Sequence, residues 1–155
     1  MRLMTRPALA LLACLGMLVA LPALAEPNEW DQAAVTELAK QLAEAAGDLR
    51  QSVRRAAPSN AGSQRRVRFQ VLDDLRVAEN AVNSLARRLE SGEGREETYP
   101  TFRRIRTLRN DIAMQARRAF ITEPTLSKLE TARGLLAQLE PYYAAEEAAE
   151  AEETG

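Results

Sequence analysis

The 155-residue chain has no histidine and a single cysteine, Cys14. Lack of histidine excludes His-ligated haem, the usual zinc and copper sites, and His-based acid/base or nucleophilic catalysis. It also excludes a di-iron helical bundle, which needs Glu-x-x-His pairs on facing helices. Cys14 sits within an apolar leader, so the remaining chain has no thiol and its stability must come from packing. Strand signals are missing too: no sustained alternation runs through the chain, and β-branched or aromatic clusters are few. Serine-nucleophile motifs, phosphate loops and Cys-x-x-Cys-His haem attachment do not occur. Gly92-Glu93-Gly94 is too short to cradle a phosphate and reads as a turn. These absences predict a non-enzymatic protein with no cofactor and no resident metal.

What is present begins with residues 1–25. Arg2 and Arg6 precede an unbroken run of apolar and small residues from Ala8 to Leu21. Pro22 interrupts the run, and Ala23-Leu24-Ala25 places small residues at the two positions a signal peptidase reads. The run is too short for a stable membrane anchor. The pattern predicts a cleaved secretory signal peptide and a periplasmic or secreted bacterial protein starting at Glu26. Leu11-Leu12-Ala13-Cys14 partly resembles a lipobox. Cleavage before Cys14 would leave Leu15–Leu21 as a greasy start, so lipid anchoring at Cys14 is not expected.

Residues 26–143 predict one all-α domain, and residues 144–155 an acidic Ala/Glu-rich tail that frays. The first helix spans about 28–57, with Val35, Leu38, Leu42, Ala45, Leu49 and Val53 on one face. Asn28 or Asp31 can cap it. Trp30, beside Val35 and Leu38, can staple its start. Pro58 through Gly62 ends it. The second helix spans about 63–90, on a stripe of Val67, Val71, Leu75, Ala78, Val82, Leu85 and Leu89. Gly92 suits the left-handed conformation that closes a helix. A third helix starts near Tyr99-Pro100, carrying Phe102, Ile105, Leu108 and Ile112 inward. A fourth follows Pro124, with Leu126, Leu129, Leu136 and Leu139, and breaks or kinks at Pro141. Two long and two shorter helices with short connections predict an up-down antiparallel four-helix bundle. In it Leu75, Val82, Leu85, Ile105, Leu108 and Ile112 are expected to be largely buried.

Charge is strongly segregated. Residues 26–53 carry net −4, residues 54–118 net +7 and residues 119–155 net −6. Basic residues on helix three include Arg103, Arg106 and Arg117 on one outer stripe, a candidate face for an anionic partner. The competing reading is intramolecular, with acidic helices one and four balancing basic helices two and three. Arg109 projects onto the edge of the apolar arc, where its stem can pack on the core while its head meets a carboxylate, or where it can clamp a ligand carboxylate.

These features predict an exported helical bundle that acts by binding, as a periplasmic accessory, adaptor or scaffold. The expected partner is a protein or an anionic envelope component, not nucleic acid. A stress or chaperone-like role is the first alternative, and a small-ligand carrier the second. An exposed apolar concave surface would favour the former, and a cavity with convergent polar groups the latter.

Overall fold

Asp31 sets the start of the first helix: its side chain accepts the Ala34 N–H at 3.0 Å, which satisfies one of the donors a helix start leaves free. The computed structural model describes residues 28–56, 62–116 and 122–153. The signal-peptide expectation, Cys14 and Arg117 lie outside those residues. Four helices follow in order: α1 Gln32–Arg55, α2 Gly62–Glu90, α3 Arg95–Ala116 and α4 Glu123–Glu153. No strand occurs among the described residues, and the fold is an all-α four-helix bundle.

Gly92 closes α2 as its sequence position indicates. It takes φ +90°, its N–H reaches Leu89 O at 3.1 Å, and the Glu93 N–H reaches Arg88 O at 3.1 Å. These are the two bonds of a Schellman motif, and glycine supplies the positive φ without a Cβ clash. The chain enters α3 directly. Glu97 Oε2 accepts the Gly94 N–H at 3.0 Å, the reach-back half of a capping box. That cap moves the start of α3 forward to Arg95 from the expected Tyr99-Pro100. Pro100 therefore sits inside the helix rather than in its first turn.

The largest departures concern α4. It is the longest helix, 31 residues or about 46 Å at 1.5 Å per residue, not one of two shorter ones. It passes through Pro141 without a break and includes residues 144–153 of the expected frayed tail. Proline only removes one ladder bond and crowds one carbonyl; neighbours hold the helix on both sides. The Pro141 carbonyl accepts the Asn28 N–H at 3.0 Å. Beyond it, Glu147 pairs with Arg106 and Glu150 with Arg103. Tertiary contacts thus supply what the acidic segment lacks in an apolar stripe.

Cross-helix pairs define an antiparallel sequence. Lys40 meets Glu90 and Arg50 meets Glu79 between α1 and α2. Gln115 meets Asp74 between α2 and α3, and Lys128 meets Asp48 between α1 and α4. α1 packs closely on α2 and α4, and α2 on α3, whereas α3 and α4 touch sparsely. Three seams are therefore tight and the fourth is splayed.

The core has two parts. One end gathers Val35, Leu42, Val82, Leu85, Leu89, Phe102, Leu139 and Tyr143, with Trp30 packed against them. Full burial of each aliphatic or aromatic side chain contributes roughly 1.5–3 kcal/mol. The other end is thinner: Leu49, Val71, Leu75 and Ile112. Of the six side chains expected inside, Leu75, Val82, Leu85, Ile105 and Ile112 are buried. Leu108 is only partly buried; it lies on the α2-facing side of α3, seven residues from Thr101 and from Gln115, which bond to Arg88 and Asp74 of α2.

Candidate functional site

Helix α3 offers its arginines to α4 before it offers them to anything else. Arg103 pairs with Glu150, and Arg106 with Glu147 and, at 3.9 Å, with Glu140. Tyr99 also donates its hydroxyl to Glu150 Oε2 at 2.8 Å. Arg109 Nη1 donates to Glu140 Oε1 at 2.5 Å. These contacts follow from antiparallel α3 and α4, whose basic and acidic stretches run past each other in register. The candidate face thus contains Arg103 and Arg106 with their charges locally balanced, while Arg117 lies outside the described residues. Across the α1–α2 seam the polarity is reversed: the bases come from α1 and the acids from α2. Net charge by segment therefore does not predict which pairs form.

A different set of arginines stands apart. Arg54 and Arg55 end α1, and Arg65 and Arg66 follow one turn into α2. All four are exposed, and among the described residues none forms an ion pair. The connecting segment 57–61 has the sequence Ala-Pro-Ser-Asn-Ala and brings no carboxylate. Nor does α2 place an acid in its first turn, so the positive end of its dipole adds to the same field. Arg68 completes the corner by donating Nη2 to the Arg54 carbonyl at 2.7 Å. Phe69 is 70% exposed; at three and four residues from Arg66 and Arg65 it shares their helical face. This pole of the bundle, to which α4 brings the exposed Glu123, is therefore predominantly cationic and carries an exposed aromatic ring.

That pole was legible in part. Arg54-Arg55 and Arg65-Arg66 flank a helix break, and any tight helical hairpin brings such flanks to one end. Summing charge over residues 54–118 hides the concentration.

The splayed seam opens onto a cavity of about 250 Å³ with walls from all four helices. Its lining is apolar apart from Arg109 of α3 and Arg133 of α4. Carboxylates elsewhere do not converge: among the described residues no group of three or more His, Cys, Asp or Glu side chains is placed to hold a metal. Burial, reinforced by the charges of Asp73 and Asp111, raises the pKa of Asp74 above its ordinary value. Its carboxylate accepts from Gln115 Nε2 at 3.0 Å, a structural contact between α2 and α3. Among the described residues no helix is long and apolar enough to cross a membrane. Comparison with protein-family models, curated proteins and solved structures finds no match for this chain.

Proposed function

We propose that this is an exported, non-enzymatic bundle that works by binding, and that its arginine pole engages an anionic component of the cell envelope. The supporting observation is the set Arg54, Arg55, Arg65 and Arg66, without carboxylate partners and beside the exposed Phe69. Exposed arginines with an adjacent aromatic ring suit an anionic lipid surface, where the ring enters the interface and each cation contributes roughly 1 kcal/mol. Export rests on the leader of residues 1–25. The role is that of a periplasmic accessory, adaptor or scaffold held near a membrane face.

Two measurements test this. Intact mass of the exported protein should place its N-terminus at Glu26. Co-sedimentation with phosphatidylglycerol-containing vesicles should retain the wild type at low salt and lose it in the variant with Arg54, Arg55, Arg65 and Arg66 all changed to Gln. Retention equal on zwitterionic vesicles, or unchanged in that variant, would sink the proposal. A chaperone-like reading draws on the exposed Phe69, Met114 and Leu126; it requires suppression of client aggregation that persists at high salt.

A further inference from the structure

The cavity beneath the α3–α4 seam is independent of the arginine pole and has its own chemistry. Its floor is formed by buried side chains, among them Leu42 and Leu49 of α1, Leu75 and Val82 of α2, and Leu136 of α4. No acid lines it. The opening lies where α3 and α4 diverge, and small residues, Ala113 and Ala132, flank it. A water placed in the floor would find no polar partners, so such a space favours apolar matter over solvent.

The rim supplies the polarity. Arg109 uses Nε toward Asn110 and Nη1 toward Glu140. Arg133 uses Nη1 toward Glu130. In both, the hydrogen bonds leave Nη2 of the guanidinium for a further acceptor. With Arg106 on Glu147 and Glu140, the rim holds three guanidinium groups and three carboxylates, each carboxylate already paired. A negative head finds the open Nη2 donors of Arg109 and Arg133 there, whereas a positive one finds only carboxylates that are already paired.

We propose that this cavity binds one single-chain amphiphile with an anionic head, its chain inside the bundle and its head at Arg109 and Arg133. Size sets the chain length. An apolar cavity of about 150 Å³ takes benzene, with six carbons, so this one scales to about ten. A medium-chain carboxylate and an anionic lysophospholipid of the same chain share this chemistry.

Isothermal titration of the exported protein with sodium hexanoate, octanoate, decanoate and dodecanoate tests the assignment. Binding should be one to one and should tighten about fourfold per added carbon, then level off near ten carbons. Decanoate should bind at least tenfold more tightly than decyltrimethylammonium. Arg109→Gln should weaken decanoate about tenfold and leave decanol unchanged. Ala132→Leu, which fills the mouth, should abolish binding while the circular dichroism stays helical. Absence of decanoate binding, equal affinity for the cationic amphiphile, or full binding by a folded Ala132→Leu protein would each overturn it. Decanoyl lysophosphatidylglycerol in a parallel titration distinguishes the source: the tighter of the two anions is the natural head group. The four-arginine variant of the pole should bind decanoate as the wild type does, so the two proposals fail separately.

Discussion

Tyr143 lies flat on Phe102, with ring centroids 4.1 Å apart and planes 13° from parallel. Both side chains are fully buried. The Tyr143 hydroxyl sits 2.8 Å from Thr98 Oγ1, and Trp30 meets its ring edge-on at 5.4 Å. Four segments, the chain before α1, the first turn of α3, the body of α3 and the far half of α4, therefore meet on one ring. This contact closes the bundle at the end opposite the arginine pole.

Alkaline titration should expose that contact. Burial pushes the Tyr143 hydroxyl up to about 12, above the value near 10 of an exposed tyrosine. Below pH 10 both folded and unfolded states hold the proton, and stability is unaffected. Between about pH 10 and 12 the unfolded chain releases it while the folded chain does not, so stability falls by roughly 2–3 kcal/mol. Urea midpoints measured at pH 9 and pH 11.5 should show that loss. In Tyr143→Phe the decline should shrink, with a cost at neutral pH of only about 1 kcal/mol from the lost hydrogen bond.

Leu85→Ala and Leu108→Ala should differ. Leu85 has no exposed surface, and its truncation should cost about 2–5 kcal/mol. Leu108 is only partly buried at the α2-facing edge of α3, where a void can fill with solvent. Its truncation should cost roughly 1–2 kcal/mol, below the range for enclosed leucines. Equal shifts in thermal midpoint would mean that Leu108 is as enclosed as Leu85.

The arginines of α3 should behave as structural partners of α4. Replacing Arg103 and Arg106 with Gln should leave vesicle retention unchanged, because both heads already meet Glu150, Glu147 and Glu140. The pairs are partly exposed, so the stability cost should stay near 0.2–1 kcal/mol per pair. A clearer sign is helicity: α4 beyond Pro141 should show faster amide exchange in the double variant, since those pairs hold it.

Phe69→Ser tests whether the pole uses its ring. The side chain is 70% exposed, so stability should change by less than about 0.5 kcal/mol. Vesicle retention should nevertheless drop severalfold, and what remains should vanish between low and physiological salt, where the screening length shortens to about 8 Å. Undiminished retention would assign the whole contact to the arginines.

Much of the fold was local and therefore readable. Three- and four-residue spacing places Val35, Leu42, Leu75, Val82 and Leu85 on inward stripes whatever the neighbours are. Asp31 and Gly92 act within a few residues of themselves, so a cap and a left-handed turn show in the chain alone. The start of α3 was less legible, since Pro100 resembles a first-turn proline and the Glu97 reach-back to Gly94 competes with it. Partner choice was readable only as one of two alternatives. Arg103 and Arg106 read either as part of a face for an anionic partner or as pairs for acidic helix four, and Arg109 as an edge arginine whose head meets a carboxylate; antiparallel packing brings Glu150, Glu147 and Glu140 alongside. Residues 144–153 have no apolar stripe, and they stay helical through contacts 40 and more residues away in the chain. The sequence by itself determined the four helical segments and their inward faces, because periodicity and capping are short-range. Only the tertiary structure decided which charges cancel, which arginines remain at the pole, and that the α3–α4 seam stays open over a cavity. Those outcomes depend on distances between helices, which no single helix encodes.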